Sequence, residues 1–201
     1  MAPMSRRQRL EAAIAGEPAD RVPVALWRHF PGDDQDPAEL ARAHLDFQRL
    51  YDFDFIKITP SYTYCVADWG VRDRYLGHDE GVIEVTRRAV KEEGDWRRLR
   101  PLDPNEGELA RQLRCIELIR DAVGKDVPFI PTVFNPLGQL IFLAGELREL
   151  PYLRRDPQLM KSVLEVLTET TVRFVEQVMR RGVAGIFMST IHATYTLMSE
   201  C

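Results

Sequence analysis

The sequence predicts an α/β fold on a parallel sheet: about the first four βα units of a (β/α)8 TIM barrel, with a β-hairpin excursion after the second strand. Three observations lead there. Short apolar runs without clean alternation recur at 22–27, 53–58, 129–134 and 183–188, as in strands buried on both faces. Between them lie stretches of helical periodicity with start and stop signals of their own. The order strand, helix, strand demands a crossover, and a crossover makes neighbouring strands parallel.

Taken in order, Ser5 with Gln8 forms a capping-box pattern, and Leu10, Ala13 and Ile14 give an apolar stripe that stops at Gly16. The turn Gly16-Glu17-Pro18-Ala19-Asp20 leads into the first expected strand, 22–27. Asp36 then caps a helix whose first residue is Pro37 and whose inner face carries Leu40, Ala43, Phe47 and Leu50. The second run, 53–58, follows directly. Residues 69–103 interrupt the pattern, and their charged stretch around Val82-Ile83-Glu84-Val85-Thr86 is expected to form a hairpin arm over the barrel mouth. Leu109, Leu113, Ile116 and Val123 mark a helix closed by Gly124, before the third strand at 129–134 and a helix at 137–144. Asp156-Pro157 opens a long helix with Leu159, Val163, Leu167, Thr170, Phe174 and Val178 on one side, and Gly182 precedes the fourth strand.

A closed barrel of this type has eight strands in roughly 250 residues. The 201 residues are therefore expected to be the N-terminal part of a single domain, truncated, in preference to a free-standing half barrel that buries its edges against a second copy.

Composition excludes several function classes. Net charge is −4 with Lys and Arg interspersed among Asp and Glu, which leaves nucleic-acid binding without an electrostatic footing. The apolar stretches fall short of the ~20 residues that span a bilayer. No apolar segment follows Arg6, Arg7 and Arg9, so a cytoplasmic location is expected. Cys65, Cys115 and Cys201 are odd in number and widely spaced, which argues against a disulfide framework.

The opening Ser5-Arg6-Arg7-Gln8-Arg9-Leu10 and the following Gly16-Glu17-Pro18-Ala19-Asp20-Arg21-Val22-Pro23-Val24 resemble the start of the uroporphyrinogen decarboxylase superfamily, which also holds corrinoid-dependent methyltransferases. Similar in order and spacing are Gly94-Asp95-Trp96 with Leu102-Asp103-Pro104, Pro128-Phe129-Ile130-Pro131 with Gly138, and Asp156-Pro157-Gln158 with Gly182-Val183-Ala184-Gly185. The resemblance implies a barrel with its site at the C-terminal ends of the strands. It also implies a cofactor-free lyase of porphyrin biosynthesis, in which a carboxylate-rich tetrapyrrole is protonated and loses carbon dioxide while basic residues hold its acetates. In the decarboxylases an arginine after the first strand contacts the substrate's acidic groups, and Arg28 of Trp27-Arg28-His29-Phe30 occupies that place. A guanidinium fork matches a carboxylate in geometry and charge.

Other family positions differ. The aspartate that follows the second strand is absent from Lys57-Ile58-Thr59-Pro60-Ser61-Tyr62, and Asp68 is the nearest acid. A second arginine falls on Gly32, and a tyrosine on Arg154, with Tyr152 two positions away. Ser189 matches the hydroxyl-bearing position after the fourth strand.

The candidate catalytic residues are thus Arg28 and Asp68, and the candidate substrate contacts Arg28, His29, Tyr62, Ser189 and His192. His44 shares a face with Leu40 and Phe47 and reads as packing, His78 as part of a polar turn, and Asn135 as the cap of the helix begun at Pro136. Cys115, beside Ile116 on a helix, reads as a small buried residue, and Cys65 has no adjacent base to make it a nucleophile. The methyltransferase branch instead uses zinc bound by a His-x-Cys pair and a later cysteine in the second half of the barrel. No histidine here has a cysteine two residues away, so no zinc ligand is assigned within the chain. Three readings follow: a decarboxylase-like lyase, a zinc-dependent methyltransferase of the same superfamily, and an inactive barrel fragment. A small-molecule substrate is the expected partner, with a second copy of the chain the other one considered.

Overall fold

The computed structural model describes residues 2–77, 83–146 and 148–191. Its helices begin where side chains can satisfy exposed amides. Ser5 and Gln8 close the capping box of α1 (Arg6–Ala15), and the Asp36 carboxylate accepts from the amides of Ala38 and Glu39 to start α2 (Pro37–Tyr51). A short strand β1 (Ile56–Ile58) follows. The expected arm is present as an antiparallel pair, β2 (Arg72–Tyr75) and β3 (Ile83–Arg87). Next come a single turn α3 (Glu93–Trp96), the long α4 (Gly107–Val123), β4 (Phe129–Phe134) and α5 (Pro136–Ala144). After α6 (Leu150–Arg155), the 23-residue α7 (Pro157–Met179) leads to β5 (Phe187–Ser189).

Among the described residues the main sheet has three strands in the order β1-β4-β5, both pairings parallel, with Ile56 opposite Phe129 and Thr132 opposite Phe187. The crossovers contain α4 and α5–α7, as parallel pairing requires. Helix α2 packs on α4, and α4 and α5 pack on α7. Their apolar stripes meet the outer face of the sheet in one core, where Leu40, Ile58, Ile116, Ile119, Leu140, Leu143 and Leu167 are buried. No helix among the described residues is long and apolar enough to cross a membrane.

The expected first strand is corrected. Residues 22–27 form no ladder, and Val22, Leu26 and Trp27 are exposed. Pro23 has no amide to donate, and the Val24 amide is taken by the Asp54 carboxylate at 2.7 Å. A backbone bond from the Asp54 amide to the Val24 carbonyl at 2.9 Å ties the segment to the approach to β1. The fourth run is displaced too: β5 begins at Phe187, while Val183 turns into the core. The second run narrows to Ile56–Ile58.

An ion-pair knot joins α1 to the sheet. The carboxylate of Asp54, 1% exposed, accepts from Arg9 at 2.6 Å and from Arg21 at 2.5 and 2.9 Å. Arg9 also forks onto Asp20 at 2.6 and 2.8 Å and donates to the Met4 carbonyl. Arg9, Asp20 and Arg21, prominent in the opening segments, thus act here as structural residues. Trp96 of Gly94-Asp95-Trp96 does likewise, buried edge-on against Tyr152.

Candidate functional site

Chemistry-bearing side chains gather where the strands of the main sheet finish. Parallel strands end at the same side, and the helix that follows each strand begins there, so side chains on those connections converge. The connection after β1 supplies Ser61 and Thr63, the segment after 22–27 supplies Asp34, the hairpin supplies Arg72 and Asp73, and the start of α4 supplies Glu108. Together these line a cleft of about 420 Å³.

Asp34 is buried, with a hydrogen bond from the Gln35 side chain at 2.9 Å. Burial raises its carboxyl above the ordinary range, against the opposing pull of that hydrogen bond and of His29. Glu108 is raised for the same first reason, against hydrogen bonding by Gln112 and the charge of Arg111. The Thr63 hydroxyl donates to Asp73, tying the arm to the floor of the cleft. The cleft is thus rich in carboxylates, two of them biased toward the protonated form.

Asp68 has a structural task. Its oxygens accept from the Glu108 amide at 3.0 and 2.8 Å, so that it closes the N-terminus of α4 from outside the helix. Gly107, at φ +56°, makes room for it: a Cβ there would meet the Asp68 Oδ2 at 2.6 Å. Replacing Gly107 by Ala combines a left-handed backbone, costing ~1–2 kcal/mol, with displacement of the cap, costing about 1 kcal/mol. A loss of roughly 2–3 kcal/mol in urea unfolding is expected, with Asp68→Ala showing only the smaller part.

The inner face of the sheet forms a second neighbourhood. Side chains alternate along a strand, so Ile56 and Ile58 enter the helix-covered core while Lys57 faces the other way. Its ammonium lies 4.5 Å from the Phe187 ring centroid and 5.0 Å from that of Trp27, and those two rings are 5.7 Å apart. Burial pulls Lys57 down to about 8.

The predicted residues are placed as follows. Arg28 is exposed, its Nε donating to the His29 carbonyl and its guanidinium 5.7 Å from the Phe30 ring. His29 is half-buried and lowered, first by burial and then by Lys57, with Asp34 opposing. Tyr62 lies against Phe142, with its hydroxyl 3.5 Å from the Ile83 carbonyl. Ser189 ends β5, its carbonyl accepting from the Asn135 amide at 3.0 Å. Tyr62 and Asp68 border the hairpin and cleft, Arg28 and His29 stand on the adjoining loop, and Ser189 is on β5. His78 and His192 lie outside the described residues.

The structural readings of other residues hold. Asn135 caps α5 through its side chain, which accepts from the Gly138 amide. His44 is buried between the Leu40 carbonyl and the Thr59 amide, each at 2.9 Å. Cys65 and Cys115 are buried thiols pushed up by burial, Cys115 to about 12, so neither is a ready nucleophile. Sequence reasoning missed Asp34 and Lys57. The signal for Asp34 was its position six residues after Arg28 in the same loop, and for Lys57 a charge inside an apolar strand run. Among the described residues no group of three His, Cys, Asp or Glu side chains is placed to hold a metal ion.

The fold and site together define an α/β protein with a parallel sheet, its polar groups collected at the strands' C-terminal ends. Comparison with known proteins sharpens this. The profile of the family described as Uroporphyrinogen decarboxylase (URO-D) matches residues 5–200, and the chain belongs to that family. No curated protein matches it. A solved methyltransferase from Methanosarcina mazei is similar in fold, with a TM-score of 0.78 at 21% identity. The alignment covers 98% of this chain and 62% of that one, so the chain spans less than two thirds of its structural neighbour.

Proposed function

We propose that the chain is part of a uroporphyrinogen-decarboxylase-like lyase acting on a carboxylate-rich tetrapyrrole or similar anion in porphyrin biosynthesis. In this reading the parallel sheet belongs to an incomplete (β/α)8 barrel, and 22–27 occupies the place of its first strand. The supporting observation is that one loop carries an exposed cation, Arg28, and a buried acid biased toward protonation, Asp34. Arg28 pairs with an acetate of the substrate. Asp34 delivers a proton to the pyrrole ring, creating a cation that accepts the electron pair of the bond to the departing carbon dioxide. Protonation of the resulting methylene and loss of the ring proton complete the cycle, so one proton is taken up for each carbon dioxide released. Tyr62 and Ser189 contact substrate. Asp34 replaces Asp68 as the acid here, because the Asp68 oxygens are engaged by amides of α4.

A second reading, methyl transfer with zinc, is favoured by the structural neighbour's being a methyltransferase. Incubation with uroporphyrinogen, following carbon dioxide release, and with methylcobalamin, a thiol and zinc, following methyl transfer, separates the two. We expect carboxylate loss, with Arg28→Ala lowering kcat/KM about 30- to 150-fold, the value of a charged hydrogen bond of roughly 2–3 kcal/mol. Methyl transfer without carbon dioxide release would replace this reading with the second, and neither activity would leave the inactive fragment.

A further inference from the structure

Two buried cations in this chain are treated in opposite ways. The guanidinium of Arg9, 6% exposed, is fully matched by Asp20, Asp54 and the Met4 carbonyl. Lys57 is likewise 6% exposed. Yet among the described residues it has one polar contact, a long 3.4 Å approach to the Thr59 hydroxyl, and no ion pair. The Thr59 hydroxyl, which donates its own proton to the Lys57 carbonyl, is a neutral acceptor and brings no counter-charge. A buried charge without a counter-charge costs several kcal/mol. The faces of Trp27 and Phe187 recover part of this. What remains is an electrostatic demand at the inner face of the sheet that the apolar neighbours Ile130, Trp27 and Phe187 cannot meet.

From this we infer that Lys57 is an anion-binding residue, anchoring a carboxylate group of a ligand whose flat apolar body lies against the Trp27 ring. Three features support that ligand class. A carboxylate supplies the missing charge and accepts from an ammonium. The half-exposed Trp27 ring gives an apolar wall beside the cation. Ser189 follows Phe187 by two residues on β5 and so falls on the same face of that strand, where a ligand extending along the sheet meets a hydroxyl. Lys57 is not among the residues that line the cleft holding Asp34 and Glu108, so its site lies beside that cleft and not within it. It does not depend on whether the reaction is decarboxylation or methyl transfer.

The chain has only four lysines, Lys57, Lys91, Lys125 and Lys161, so reductive methylation with 13C-formaldehyde gives few dimethylamine resonances, and Lys57→Arg assigns the one that matters. In the free protein the Lys57 signal should titrate near 8. Saturation with benzene-1,3,5-tricarboxylate should raise that midpoint by about one pH unit or more, because the anion favours the charged amine, and leave the others in place. Lys57→Met should weaken tricarboxylate binding at least about tenfold, the worth of ~1.4 kcal/mol, while Lys57→Arg keeps most of it. A midpoint at the ordinary lysine value that ignores the tricarboxylate overturns the inference, as does undiminished binding by a folded Lys57→Met. Should that variant not fold, the wild-type titration alone decides. Tricarboxylate binding through Lys57 without turnover of uroporphyrinogen would keep this inference and remove the decarboxylase reading.

Discussion

Replacing Asp54 by Ala should lower stability by about 3–5 kcal/mol, the cost of removing one partner from a buried ion pair. The size follows from what is left behind. Arg9 stays almost wholly enclosed but keeps only Asp20 and the Met4 carbonyl, and the Val24 amide loses its acceptor. Asp54 is depressed although burial alone would raise it, because Arg21, the Val24 amide and Arg9 together outweigh that effect. Asp54→Asn, which keeps the shape and can still accept from Val24, should fall between the wild type and Asp54→Ala. Urea unfolding at neutral pH measures both variants. A loss under 1 kcal/mol for Asp54→Ala would show that the knot is not holding α1 to the sheet.

The second large effect concerns acid. His44 is held neutral: the Thr59 amide donates to its Nε2, so Nδ1 carries the proton and donates to the Leu40 carbonyl. Burial lowers it from 6.5 to about 4, and Lys57 works in the same direction. A group lowered on folding contributes stability that is present above its unfolded value and disappears as pH falls toward the folded one. Here the window runs from 6.5 down to about 4, and the loss is on the order of 3 kcal/mol. His44→Gln should be less stable at pH 7, with a flatter dependence between those limits. His29, lowered by burial to a lesser depth of enclosure, contributes a residual slope in the variant. An unchanged slope in His44→Gln would show that other groups govern the acid loss.

Much of the scaffold was legible because its signals are local. The Asp36-Pro37 and Asp156-Pro157 starts mark α2 and α7 correctly, since an N-cap carboxylate and a proline at N1 are properties of a few adjacent residues. The run 129–134 emerged as β4 without change because both its edges are paired. Run 22–27 is similarly apolar and also carries one proline, yet makes no ladder. Whether an apolar extended stretch becomes a strand depends on which partners lie on either side, and composition does not report that. At the site, Arg28 stood out by its position in a known pattern, whereas Asp34 and Lys57 draw their character from burial, which only the assembled structure supplies. Asp68 carried the right charge, but its hydrogen bonds to α4 come from a segment forty residues along the chain.

The arm has one more consequence. Isolated two-stranded ribbons are marginal in water, and β2–β3 presents alternating charged residues, with Arg74 paired to Glu84 across it. Its attachment to the body runs through Thr63 with Asp73 and Tyr62 with the Ile83 carbonyl. The wall that carries Arg72 and Asp73 therefore borrows its order from the floor it faces, and the shape offered to a visiting molecule is set as much by a few tethering side chains as by the rigid sheet beneath.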